Sequence, residues 1–211
     1  MYGVKASSIT IEVSVHSGFK YFVVGLPDNA VKESLQRMES AVKHLGYSMP
    51  KNRMVINLSP ADLRKEGSGF DLPMTLGMLL ASGQIQNTLQ QPFMLMGELA
   101  LDGSILPVKG ALPMAVLARE EGYEFLFLPL VNFEEATVVQ GVHVVGVSKL
   151  QEIIDFVSGR SPVPLNPPTY QIESISPSTY AEDFEEVKGQ ISINTIHCKS
   201  TNYDVLQRTV S

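Results

Sequence analysis

The densest grouping of reactive side chains is the stretch Ser59-Pro60-Ala61-Asp62-Leu63-Arg64-Lys65-Glu66-Gly67-Ser68-Gly69-Phe70-Asp71-Leu72-Pro73. An apolar run ends there, and a second one begins at Asp71. Backbone N–H groups of Gly67, Ser68 and Gly69 would lie at the positive end of the following helix, where an anion or an oxyanion can be held. Ser68 can serve as a nucleophile if a base stands beside it. Arg64, Lys65 and Glu66 add charge, so Arg64 through Asp71 forms a candidate interaction loop. The alternative is a plain strand-to-helix turn, with Asp71 as helix cap and the glycines for backbone freedom.

Other reactive residues are scattered. His16, His44, His143 and His197 show no metal-ligand spacing, and Cys198 is the single cysteine. No metal site and no internal disulfide are expected. Glu182, Asp183, Glu185 and Glu186 cluster without the spacing of a calcium loop.

The elements that must position these groups follow from periodicity. Ile9, Ile11, Val13 and Val15 alternate with polar residues, as on a half-buried strand. Ser17-Gly18 then predicts a hairpin returning through Tyr21–Val24. Asp28 or Asn29 can cap a helix carrying Val31, Leu35, Met38, Val42 and Leu45. Residues 54–58 form an apolar strand. A mostly apolar helix runs from about Asp71 to Ala81. Residues 93–96 form another strand, and Asp102-Gly103 marks a hairpin turn between Leu99 and Ile105. A helix over 111–121, strands over 125–128 and 142–145, and a helix opened by a Ser148/Gln151 capping box complete the set.

Composition bounds the function. The chain has 211 residues, 44% hydrophobic and 18% charged, with net charge −6. It can bury a core, and a basic nucleic-acid arm is not its dominant feature. No apolar run approaches the roughly 20 residues of a membrane helix. The start Met-Tyr-Gly-Val-Lys-Ala lacks signal-peptide order, so a cytoplasmic location is expected. One α/β domain is expected over residues 1–159. Residues 160–181, with Pro162, Pro164, Pro167, Pro168 and Pro177, read as an extended linker. Residues 191–211 show no clear period and read as a tail.

Two motifs are long enough to carry a resemblance. Gly25-Leu26-Pro27-Asp28-Asn29-Ala30-Val31-Lys32-Glu33-Ser34 and Asn57 through Pro73, with Gly97-Glu98-Leu99 and Leu106-Pro107-Val108, closely resemble the Lon-like (ChlI-type) domain of magnesium-chelatase-like AAA ATPases of the ComM/YifB type. The resemblance covers about residues 2–159. It implies a Lon-protease-like α+β fold in two layers, of the ribosomal-protein-S5-domain-2 kind. It further implies an accessory domain beside a ring motor that remodels DNA with ATP and Mg. Residues 182–190 resemble the start of the AAA module. No Gly-Lys dipeptide follows anywhere, so there is no phosphate loop of that type and no ATP is expected on this chain. The expected explanation is a truncated or frame-shifted product.

The same resemblance tests catalysis. Lon-type peptidases carry Lys-Asp-Gly-Pro-Ser-Ala-Gly with serine as nucleophile. Laying Lys-Asp-Gly on Lys65-Glu66-Gly67 puts the nucleophile at Gly69, one residue past Ser68. Laying their Leu-Pro on Leu106-Pro107 puts the catalytic lysine at Leu112, while Lys109 stands three residues earlier. Both dyad positions lack their residue, and Ser68 with Lys109 remains the weaker alternative. A stand-alone binding module for nucleic acid or protein is the third reading. The expected partner is the family's own AAA module or ring.

Overall fold

A computed structural model describes residues 6–162 and the backbone of residues 191–196. Residues 163–181 of the expected linker, the acidic cluster, His197 and Cys198 lie outside the described residues.

The alternating run at the start becomes β1 (Ala6–His16), whose Ile9, Ile11 and Val13 are buried. Next come β2 (Tyr21–Val24), α1 (Asn29–His44), β3 (Arg53–Ser59) and α2 (Asp71–Ala81). Then follow β4 (Phe93–Leu95), β5 (Glu98–Leu99), β6 (Ile105–Leu106) and α3 (Ala111–Glu120). The last elements are β7 (Phe125–Pro129), α4 (Phe133–Thr137), β8 (His143–Val147), α5 (Leu150–Val157) and β9 (Ile191–Ile196). The main sheet is mixed, in the order β2-β3-β1-β9-β4-β7-β8.

Its two halves are covered differently. In β1 and β3 only alternate residues are buried, against α1 and α2. In β4 and β7 every residue is buried. There Phe93, Leu95, Phe125 and Phe127 join the core beneath α2 and α5. Met94, Leu126 and Leu128 instead join a second core with Met114, Ala115 and Ala118 of α3. Two layers therefore describe only the first half, and the second half has helices on both faces. Strands sandwiched this way read as continuous apolar runs.

Three local expectations need correction. β2 does not return along β1. It pairs in parallel with β3, Tyr21 opposite Met54 through Val24 opposite Asn57, because β3 already lies antiparallel along β1. The crossing places the Arg53 guanidinium 5.1 Å above the Phe22 ring. Ser148 does not cap α5. Lys149 holds the cap position without a side-chain bond, and Ser148 N–H donates to Glu152 at 3.3 Å. Residues 191–196, read as aperiodic, form a strand between β1 and β4. Their Ile-Ser-Ile-Asn alternation was a signal, but it breaks at Thr195-Ile196 and only Gly189 marks a turn beside it.

The hairpin at Asp102-Gly103 forms as expected, with Glu98 opposite Leu106 and Leu99 opposite Ile105. Asp28 caps α1, accepting from Val31 N–H at 2.8 Å. Just before that cap, Gly25 adopts φ +97° and its missing Cβ would sit 2.0 Å from the Leu58 carbonyl oxygen. Leu26 follows at φ +57°. Backbone bonds hold it there, from Lys65 N–H to Leu26 O and from Asp28 N–H to Lys65 O. Gly25→Ala should therefore destabilise by on the order of 3 kcal/mol or more, since both backbone and space are incompatible. Leu26→Gly, which only relieves a left-handed conformation, should stay within about 1 kcal/mol of wild type. Urea unfolding midpoints of the two variants measure the contrast.

Candidate functional site

Residues 66–70 of the Asp62–Asp71 loop and Lys109 line one cleft. Its walls include Glu66, Ser68, Phe70, Met96, Glu98 and Lys109, and its volume is about 410 Å³. The turn that leads into α2, through Gly69 and Phe70, belongs to its lining. Gly97 N–H donates to Gly69 O, and Leu72 N–H to Gly97 O, so the β4–β5 connection is sewn to the start of α2. Gly97 has no room for a side chain: a Cβ would lie 2.8 Å from Leu72 and 2.9 Å from Ile105.

Asp71 holds these pieces in place. It is fully buried, and it is the first residue of the helix rather than its cap, since the cap position is Phe70 and carries no side-chain bond. The Asp71 carboxylate faces Arg37 of α1 instead. Arg37 Nε donates to Oδ2 at 2.6 Å and Nη2 to Oδ1 at 3.0 Å. The Ser34 hydroxyl also donates to Oδ1, and Leu99 N–H donates to Oδ2 at 3.2 Å. Hydrogen bonding to Asp71 holds the Arg37 guanidinium above its ordinary value. A direct contact between Asp71 and a partner molecule is excluded by this burial.

Lys65, too, is not a solvated residue of the loop. Its neighbour Arg64 is exposed and pairs with Glu66 at 3.1 Å. Lys65 itself is fully buried, its Nζ donating to the carbonyls of Pro60 and Leu63. Burial lowers the ammonium below its ordinary value, partly offset by Asp62. Lys65 is thus a clamp that shapes the loop, not a contact residue. A charge in a loop reads as solvated in sequence. Only the folded loop shows that its own carbonyls turn inward.

Three groups decide the chemistry. The Ser68 hydroxyl donates to the Glu98 carboxylate. Gly67, at φ +87°, turns its N–H onto Asp28 Oδ2 at 3.2 Å, which takes one of the three expected anion donors. Leu112 offers no amine and lies outside the cleft lining, with its N–H donating to Glu135 at 3.2 Å. Glu66 and Glu98 set two carboxylates against Lys109 on the cleft wall. That charge balance opposes a phosphate or other anion. Glu98 was the functional residue missed as a partner for Ser68; it lies 30 positions away, beyond any local pattern. Among the described residues no group of three or more His, Cys, Asp or Glu can hold a metal.

An α/β domain with a serine-bearing cleft at a buried helix start is the class these features define. A family model for subunit ChlI of Mg-chelatase matches residues 11–132, and the chain belongs to that family. Competence protein ComM of Haemophilus influenzae is 37% identical over 164 residues, 77% of this chain and 32% of the relative. The uncharacterized protein YifB of Escherichia coli is 34% identical over 189 residues, 89% of this chain and 36% of the relative. Lon protease 2 of Bacillus subtilis is 24% identical over 142 residues. The chain spans about a third of the length of the ComM and YifB proteins.

Two outcomes follow from the buried charges. Asp71→Ala leaves Arg37 without its carboxylate, so it should cost about 3–5 kcal/mol in unfolding free energy. Lys65 gives a pH signature. Its folded-state value lies below the unfolded value near 10.5. Between the two, the unfolded chain holds a proton that the folded chain has released, so stability gains from Lys65 as pH rises through that window. Urea melts at a series of pH values up to about 10.5 should show this gain, and Lys65→Met should remove it.

Proposed function

We propose that this chain is a non-hydrolytic accessory domain of a magnesium-chelatase-like AAA ATPase of the ComM/YifB type. Its fold is read as the Lon-like, S5-domain-2-like arrangement. In such a protein the ATPase module binds ATP and Mg and remodels DNA, and the accessory domain offers it a docking surface in the cytoplasm. The family match over residues 11–132 supports the reading. The observation that carries it is the hydrogen bond from the Ser68 hydroxyl to Glu98, together with a leucine, outside the cleft, at position 112. A serine needs a base that takes its proton during attack. A carboxylate fixed at the start of β5 and a lysine three residues from the family position do not reproduce the Lon dyad.

The docking surface comprises Glu66, Ser68 and Lys109 of the cleft and Arg64, which pairs with Glu66 beside it. Lys65 and Asp71 act through the loop shape and Gly67 and Gly69 through its backbone. A Lon-like peptidase built on Ser68 and Lys109 is the second reading, favoured by the placement of both residues in one cleft.

Purified chain should leave casein intact and should not be labelled at Ser68 by a serine-directed phosphonate. Hydrolysis or labelling establishes the second reading instead. Titration calorimetry with the isolated AAA module of a ComM-type relative should show saturable binding. Arg64→Ala with Lys109→Ala should weaken it by about tenfold, the loss of one to two rim contacts. Binding unchanged by both substitutions removes this surface from the interface.

A further inference from the structure

We propose that the channel between β1 and β4 is a strand-acceptor site. Its ligand is an extended segment free of proline and glycine and rich in β-branched residues, running parallel to β1. In this chain β9 fills the channel, and a free peptide of the same pattern can take its place.

β1 is a central strand with two occupied edges. One carries the antiparallel ladder to β3 from Thr10 to His16. The other carries a parallel ladder to β9, from Ala6 opposite Ile191 to Ile11 opposite Ile196. β9 separates β1 from β4 in the strand order, so the second edge of β1 lies inside the sheet rather than at its rim. Buried backbone N–H and C=O groups must find partners. An empty channel would leave a row of them unpaired and would separate β2-β3-β1 from β4-β7-β8. The fold therefore demands a strand there.

The strand that answers this demand comes from a distance. Every other strand of the sheet lies within residues 6–147, whereas β9 begins at Ile191. Its attachment is lopsided. Six residue pairs join it to β1, and Met94 opposite Thr195 is the single pair recorded with β4. Withdrawing β9 breaks chiefly one ladder and leaves every other strand of the sheet with a partner. Recognition by main-chain pairing, with alternate side chains filling the faces, is the logic of strand addition. The occupant fits that logic, since Ile-Ser-Ile-Asn-Thr-Ile contains no proline or glycine. The roughly 30 residues between α5 and β9 hold it near the channel at an effective concentration on the order of millimolar, so a free peptide must be supplied in that range.

Ser8 and Ile193 are directly paired, and cross-linking them tests the site in the full chain. With Cys198→Ser removing the native thiol, Ser8→Cys and Ile193→Cys in one chain should form an internal disulfide under mild oxidation. Next, the chain carrying Ser8→Cys and Cys198→Ser is mixed with a synthetic peptide of residues 189–198 bearing Ile193→Cys and Cys198→Ser. The peptide should become linked to the protein. The same peptide with Asn194→Pro, which removes a ladder donor, should link about tenfold less or not at all. An internal disulfide without peptide capture means a channel closed to outside segments, which overturns the proposal. Absence of the internal disulfide means that β9 does not occupy the channel, and overturns it too. If the cysteine variants misfold, fluorescence anisotropy of a labelled 189–198 peptide on the unsubstituted chain decides. Saturable binding lost with Asn194→Pro supports the site, and no binding, or equal binding by both peptides, overturns it.

Discussion

A single buried carboxylate sets much of this structure. Asp71 has no exposed surface, and taking an ion out of water costs several kcal/mol unless other groups satisfy it. Four donors do so: two from Arg37, one from Ser34 and the backbone N–H of Leu99. Those donors belong to α1 and to β5, while Asp71 begins α2. Satisfying one charge thus fixes two helices and a hairpin relative to one another. It also stations a negative group in the first turn of α2, where the helix dipole favours it. The site inherits this arrangement. Leu99 is held by Asp71, so its neighbour Glu98 is presented to Ser68.

This explains why the loop does not behave as its composition suggests. Glycines before a helix, beside Arg and Lys, read as an anion cradle. In the folded chain one glycine N–H serves Asp28, Lys65 serves two loop carbonyls, and Asp71 answers the helix end internally. The charges that remain at the cleft, Glu66, Glu98 and Lys109, are of mixed sign. A surface of that kind suits protein contacts steered by complementary charge better than phosphate binding.

Legibility from sequence followed the range of each interaction. The alternation of β1, the Asp28 cap and the Asp102-Gly103 hairpin depend on neighbours within a few residues, and these were readable. The pairing of β2 with β3 was not, because a turn signal at Ser17-Gly18 says that the chain reverses but not which strand receives it. Asp71 looks like a cap because its partner Arg37 is 34 positions away. Lys65 looks solvated because its partners are backbone carbonyls, which no side-chain pattern records. The cleft could be located by motif, but its chemistry could not, since Glu98 enters from another strand.

Two helices lie across the seam between the halves of the sheet: α3 packs on both β1 and β7, and α2 on β1 and β9. Every residue of α2 but Leu80 is buried, and it packs against β1, β5 and β9 as well as α1. It therefore spans the seam at which β9 lies. A helix buried all round cannot shift to follow one half without exposing apolar surface on the other, at about 25 cal/mol per Å². The spacing of the two halves is bounded by α2, which packs on β1 and β9, and by α3, which packs on β1 and β7. A channel of fixed width with unpaired backbone on its walls is a template for an extended chain. Asp71 anchors the start of α2, one of the two helices that cross this seam, so the constraint that shapes the cleft reaches the channel as well.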